Sequence, residues 1–122
     1  MSTTLFVTAD DRTGAFECGG IIAGEGFAVP TGPHAKSDVC CVVDIDTRQI
    51  EANDAAARIR EAHRTEATYR AHKMDAGLRG NWAQEVFALA EQGHNIAIVP
   101  SFPDAGRRCK DGVVVFLDAV CF

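Results

Sequence analysis

The sequence predicts an α/β fold: three layers, a mostly parallel sheet flanked by helices, and a short strand or hairpin at the C-terminal edge. Three observations carry that expectation. The run Val39-Cys40-Cys41-Val42-Val43-Asp44-Ile45 is continuous, apolar and rich in β-branched residues, the pattern of a strand buried on both faces of a parallel sheet. Shorter runs of the same kind alternate with stretches of helical periodicity, as βαβ units require. Polar and charged residues cluster directly after each run, where ligands bind in open α/β sheets.

Taken in order, Leu5-Phe6-Val7-Thr8-Ala9 reads as a buried strand. The group Asp10-Asp11-Arg12-Thr13 ends it and opens a helix reaching about Gly24. Asp11 or Thr13 is the expected N-cap, and Phe16, Gly19, Ile22 and Ala23 form the expected inward stripe. Phe27-Ala28-Val29 is read as a second strand before Pro30, and Thr31–Ser37, with Gly32 and Pro33, as loop. After the central strand, Glu51 to about Thr65 suits a helix, with acidic residues early and arginines late, as the helix dipole favours. Ala67–Met74 is the next extended run. A helix from about Leu78 to Gln92 would place Leu78, Trp82, Val86, Leu89 and Ala90 on one face, with Gly93 closing it. Ile96-Ala97-Ile98-Val99 is read as a further buried strand ended by Pro100, Ser101–Gly112 as loop, and Val113–Leu117 as a last strand pairing antiparallel with the tail.

With 122 residues, 47% of them hydrophobic, the chain suits one globular domain. A net charge of −5 argues against a general nucleic-acid binder. No apolar segment approaches the roughly 20 residues of a membrane span, and Met1-Ser2-Thr3-Thr4 carries no basic leader. The five cysteines are odd in number and form no C-x-x-C pair, so a reducing, cytoplasmic setting is expected. His34, His63, His72 and His94 lack metal-ligand spacing and read as surface or turn residues. There is no G-x-x-x-x-G-K-[ST] loop and no G-x-S-x-G elbow.

The chemistry therefore falls to the strand ends: Asp10-Asp11-Arg12-Thr13, Asp46-Thr47-Arg48, Lys73-Asp75-Arg79-Asn81 and Ser101-Asp104-Arg107. In a parallel sheet all four meet on one edge. Arginine offers a planar fork to carboxylate or phosphate, while aspartate accepts hydrogen bonds from hydroxyls. Such a cleft suits a small polyhydroxylated anion.

Four of these stretches resemble, in order, the motifs of the four-carbon acid sugar kinases. Ala9-Asp10-Asp11-Arg12-Thr13-Gly14-Ala15 is similar to that family's A-D-D-L-T-G-A opening, and Asp44-Ile45-Asp46-Thr47-Arg48 to its D-T-D-S-R segment. Lys73–Asn81 resembles K-x-D-S-T-L-R-G-N, and Val99–Arg107 resembles A-P-A-F-P-x-x-G-R. The resemblance implies that residues 1–122 form a single, partial domain binding a sugar acid such as a threonate, erythronate or oxo-tetronate. It also implies that ATP and magnesium belong to a nucleotide-binding domain absent from this chain, which alone would not transfer a phosphoryl group. Carried over by position, the substrate-binding residues would be Asp10, Asp11, Arg12, Asp46, Arg48, Lys73, Asp75, Arg79, Gly80, Asn81, Phe102 and Arg107. Arg48, Lys73 and Arg79 would clamp carboxylate or phosphate, Asp10 and Asp11 would meet hydroxyls or supply a base, and Asp75 and Asn81 would orient the polyol. No metal ligand is carried over.

Two departures stand out. Ala76-Gly77 replaces the family's Ser-Thr, removing two hydroxyls, and Arg12 replaces its leucine, adding a cation. These keep a second expectation open: a stand-alone small-anion-binding or regulatory module that pairs with a second copy through the Val113–Leu117 edge. A third is a hydrolase holding a divalent metal between Asp10, Asp11, Asp46 and Asp75. Expected partners are a small sugar-acid anion and either a second copy or a separate nucleotide-binding half, with no nucleic acid and no membrane.

Overall fold

The computed structural model describes residues 2–116. Its elements run β1 (Thr3–Ala9), α1 (Arg12–Gly24), β2 (Thr31–Gly32), β3 (Cys40–Asp44), α2 (Ala52–Ala62), β4 (Ala67–Lys73), α3 (Trp82–Glu91), a single 3-10 turn (Pro103–Ala105), β5 (Arg107–Lys110) and β6 (Val113–Phe116). The four-stranded sheet has the order β2-β3-β1-β4 and every pairing in it is parallel. β5 and β6 form a separate antiparallel hairpin.

Side-chain alternation along the sheet builds the three layers. Val7, Ala9 and Val42 point to one face and pack with Ala15 of α1, backed by Leu5, Cys18, Ile22 and Val29. Val43 points the other way, towards Ile45, Ile59 of α2, and Ala88 and Leu89 of α3. Helices thus cover both faces, which is why β3 reads as an uninterrupted apolar run. Among the described residues, Cys18, Cys40, Cys41 and Cys109 are free thiols. Among the described residues no helix is long and apolar enough to cross a membrane.

Several expected elements shift, each for a local reason. The strand expected at Phe27–Val29 is displaced: Phe27 is exposed, and Thr31 and Gly32, expected in a loop, pair with Val42 and Val43 instead. The inward stripe of α1 is Gly14, Ala15 and Gly19, whereas Phe16 and Ala23 face solvent. Gly19 is needed there, since a Cβ would sit 2.4 Å from the Thr31 hydroxyl oxygen. α3 begins at Trp82, because Leu78 (φ 58°) and Gly80 (φ 81°) hold left-handed backbone incompatible with a helix. That delay turns Glu85, Ala88 and Leu89 inward and leaves Ala90 outside.

Ile96–Val99 forms no strand; Ile96, Ile98 and Val99 are exposed beside the outer edge of β4. β6 pairs antiparallel with β5, inside the stretch expected to be loop, and the expected pairing with the tail lies outside the described residues.

Candidate functional site

After β1 the chain passes through α1 on one face, and after β4 through α3 on the other, although β1 and β4 are neighbours. The crevice beyond their carboxyl ends is the switch point at which open α/β sheets bind ligands. Main-chain bonds draw three loops together there. The Asp10 amide donates to the Lys73 carbonyl (3.1 Å), while the Asp10 carbonyl accepts from the Thr47 (2.9 Å) and Arg48 (3.1 Å) amides.

Arg48 is the hub of the side chains that result. Its Nε and Nη2 donate to the two oxygens of Asp10, each at 2.9 Å, in a bidentate fork. Its Nη1 donates to Asp11 Oδ2 at 2.8 Å and lies 3.7 Å from Asp75 Oδ1. Asp10 is 1% exposed, so the fork compensates a charge that would otherwise be costly to bury. Asp11 also caps α1, its Oδ1 accepting from the Gly14 amide at 2.8 Å.

A second fork joins Arg79 to Asp75, Nε to Oδ2 at 2.9 Å and Nη2 to Oδ1 at 2.8 Å. The amides of Gly77 and Arg79 also donate to Asp75 Oδ2. The Arg79 fork, these two amides and the nearby Arg48 charge hold the Asp75 carboxyl well below the usual carboxylate range against its burial. Hydrogen bonding to Asp10, with the added attraction of Asp11 and Asp75, raises the Arg48 guanidinium.

The remaining expected residues divide into three groups. Gly80 lies against the Arg48 main chain, where a Cβ would come within 2.9 Å of the carbonyl oxygen. Asn81 spends both amide hydrogens on the Thr47 and Ile50 carbonyls, each at 2.8 Å, so its amide nitrogen ties the Thr47–Ile50 loop down. Lys73 donates to the Met74 carbonyl at 2.9 Å and stands 3.7 Å from Glu17. Arg12 and Asp46 line a separate recess of about 310 Å³ with Asp11 and Arg48. Phe102 and Arg107 face Lys73 and Asp75 across a cavity of about 680 Å³ beside β4. They reach it from the β5–β6 side of the molecule and not from the end of a sheet strand, and Phe102 is exposed.

Beneath the cluster lies a buried polar chain that the sequence reading missed. The Thr47 hydroxyl donates to Glu85 Oε1, His72 Nε2 lies 3.0 Å from Glu85 Oε2, and His72 Nδ1 lies 2.9 Å from Thr8 Oγ1. Thr8 Oγ1 in turn lies 3.0 Å from His63 Nε2. Glu85, Thr8 and Thr47 are fully buried and His63 is 6% exposed. The expectation that the histidines are surface or turn residues therefore fails for His72, which lies in β4, while His63 does sit in the turn after α2 but is buried there. Burial, with His72, His94 and Arg70 nearby, pushes His63 down to about 4. A signal for Glu85 was available: it stands three residues after Trp82 and four before Leu89, on the apolar stripe of α3.

Comparison with known proteins shows the family to which the chain belongs. The model of a family described as "Sugar-binding N-terminal domain" matches residues 5–120. A D-threonate kinase of Cupriavidus necator is 35% identical over 116 residues, covering 87% of this chain and 28% of that protein. A 3-oxo-tetronate kinase of Methylobacterium radiotolerans is 34% identical over 129 residues, covering 92% of this chain and 30% of that protein. The chain thus spans under a third of the length of these relatives.

Proposed function

The chain belongs to the sugar-binding N-terminal domains of the four-carbon acid sugar kinase family, and on that premise we propose that it binds a four-carbon sugar acid of the threonate or oxo-tetronate type at the β1–β4 switch point. The observation that carries the reading is the pair of arginine–aspartate forks, Arg48–Asp10 and Arg79–Asp75, set beside Lys73 at the carboxyl ends of adjacent parallel strands. Lys73 and the outward N–H groups of Arg79 take the carboxylate, and Asp11 accepts from hydroxyls. Its role in a kinase is to hold the acceptor sugar.

Phosphoryl transfer depends on positioning around a nucleotide and its metal. Among the described residues, no group of three or more His, Cys, Asp or Glu side chains is placed to hold a metal ion. Asp10, Asp11 and Asp75 are instead taken up by arginines, so the metal-hydrolase expectation finds no support in their arrangement. We therefore assign ATP and magnesium to a nucleotide-binding part of a longer protein or to a separate partner.

A thermal-shift titration tests the reading, because a ligand that binds only the native state raises the melting temperature by mass action. D-threonate is expected to raise it without ATP, and Arg79→Ala to remove that rise in a domain that still unfolds cooperatively, since the Gly77 and position-79 amides still hold Asp75. No rise with threonate, erythronate or an oxo-tetronate in a cooperatively folded sample refutes it.

A further inference from the structure

Glu85 is the one carboxylate in the described core that no cation neutralises by a fork, yet both its oxygens are engaged. Its partners, Thr47 and His72, are the residues immediately before Arg48 and Lys73 in the chain. A single buried group on α3 thus grips the Thr47 loop and the end of β4, each one residue short of a cation of the binding cluster.

The protons along this chain follow from satisfiability. A carboxylate only accepts, so the Thr47 hydroxyl and His72 Nε2–H both donate to Glu85. His72 Nδ1 then accepts from the Thr8 hydroxyl, whose oxygen accepts from His63 Nε2–H. That leaves His63 Nδ1 as a bare lone pair, in keeping with its being buried without a partner. The reverse order would leave an N–H orphaned at that atom, which buried structure tolerates less well. The chain therefore has one favoured direction, set at the Glu85 end.

We propose that Glu85 is a positioning residue for the anion site, fixing through Thr47 and His72 the separation of Arg48 from Lys73. It touches no ligand itself. The ligand named in the test rests on the function proposed above; the positioning role does not.

The test is Glu85→Gln in the full chain, read three ways by NMR and calorimetry. The glutamine amide keeps only one acceptor oxygen, so it can accept from His72 Nε2–H or from the Thr47 hydroxyl but not from both, and the arm to Thr47 is expected to be lost while ¹⁵N spectra show the His72 proton kept on Nε2. The Arg48 Nε–H resonance is expected to shift, and the D-threonate Kd to rise about tenfold or more, the range for a disturbed hydrogen bond to a charged group. If that variant does not fold, Thr47→Val removes one arm alone and should move the Arg48 resonance, while Thr47→Ser restores it. An unmoved Arg48 resonance in Glu85→Gln and Thr47→Val overturns the proposal, whether or not threonate binds. Failure of the parent chain to bind threonate, with the Arg48 resonance still moving, refutes the ligand and leaves the positioning role standing.

Discussion

Replacing Arg48 with alanine probes how the cluster is held. Asp10 is 1% exposed, and both its oxygens are bonded to the Arg48 fork at 2.9 Å. Removing the guanidinium leaves a buried carboxylate without its cation, which costs about 3–5 kcal/mol. The second contact, to Asp11 at 24% exposure, is more solvated and adds less. Against a total stability of about 5–15 kcal/mol for such a domain, the loss is a large fraction. Urea unfolding followed by the fluorescence of Trp82, the chain's single tryptophan, should show a lowered midpoint at an unchanged slope. Adding Asp10→Asn should recover much of the loss, because the uncompensated charge is then gone. A cost below about 1 kcal/mol, the level of an exposed ion pair, would refute the claim that Arg48 is structural.

Acid should weaken the fold through His63. Its folded value of about 4 lies below the ordinary 6.5, so the unfolded chain takes up that proton first. The contribution is intact above pH 6.5 and is lost as pH falls towards 4, by about 3 kcal/mol in total. His63→Gln should flatten that part of the urea-midpoint profile between pH 7 and pH 4. Gly80→Ala should destabilise by about 1–3 kcal/mol, because it combines a φ of 81° with a Cβ 2.9 Å from the Arg48 carbonyl oxygen. Thermal unfolding checks it, and an unchanged midpoint would contradict the close approach.

The parts of this fold legible in the sequence are those that local pattern determines. The double-sided apolar run of β3 announces a covered parallel strand, and the clusters after β1, β3 and β4 announce their own convergence once the strands are parallel. What pattern cannot carry is the identity of a partner. Ile96–Val99 has the composition of a strand but lies unpaired beside β4, and strand propensity reflects packing on neighbours more than any intrinsic preference. Thr31 and Gly32 are too short a stretch, between Pro30 and Pro33, to show a strand pattern, yet they pair with β3 where Gly19 of α1 packs against Thr31. Leu78 reads as the first turn of α3 until its left-handed backbone is known. The burial of His63 and His72 is not legible because a histidine's burial depends on finding Thr8 and Glu85 from other elements.

The same accounting sorts the expected binding residues by what they have left to offer. An ionised carboxylate has about four lone-pair sites. Asp75 Oδ2 already accepts from the Gly77 amide, the Arg79 amide and Arg79 Nε, so only Oδ1, with one bond from Arg79, keeps capacity. Asp10 has sites in principle but is shut away from solvent behind Arg48. Asp11 accepts one bond on each oxygen and is 24% exposed, which leaves it the carboxylate best able to meet a hydroxyl. Among the donors, the Asn81 amide nitrogen is fully spent on the Thr47 and Ile50 carbonyls. Lys73 keeps two of its three N–H groups beyond the Met74 bond, and Arg79 is 74% exposed with its fork turned inward. On these counts Asp10, Arg48 and Asn81 are the frame, and Asp11, Lys73 and Arg79 are the groups a sugar acid would meet. The hydroxyls missing at Ala76-Gly77 are then a loss of donors beside Asp75, not of the frame, so Ala76→Ser should tighten binding without altering the Asp10–Arg48 fork, whereas at Gly77 a Cβ would come 3.0 Å from Asp75 Oδ2 and press on the second fork.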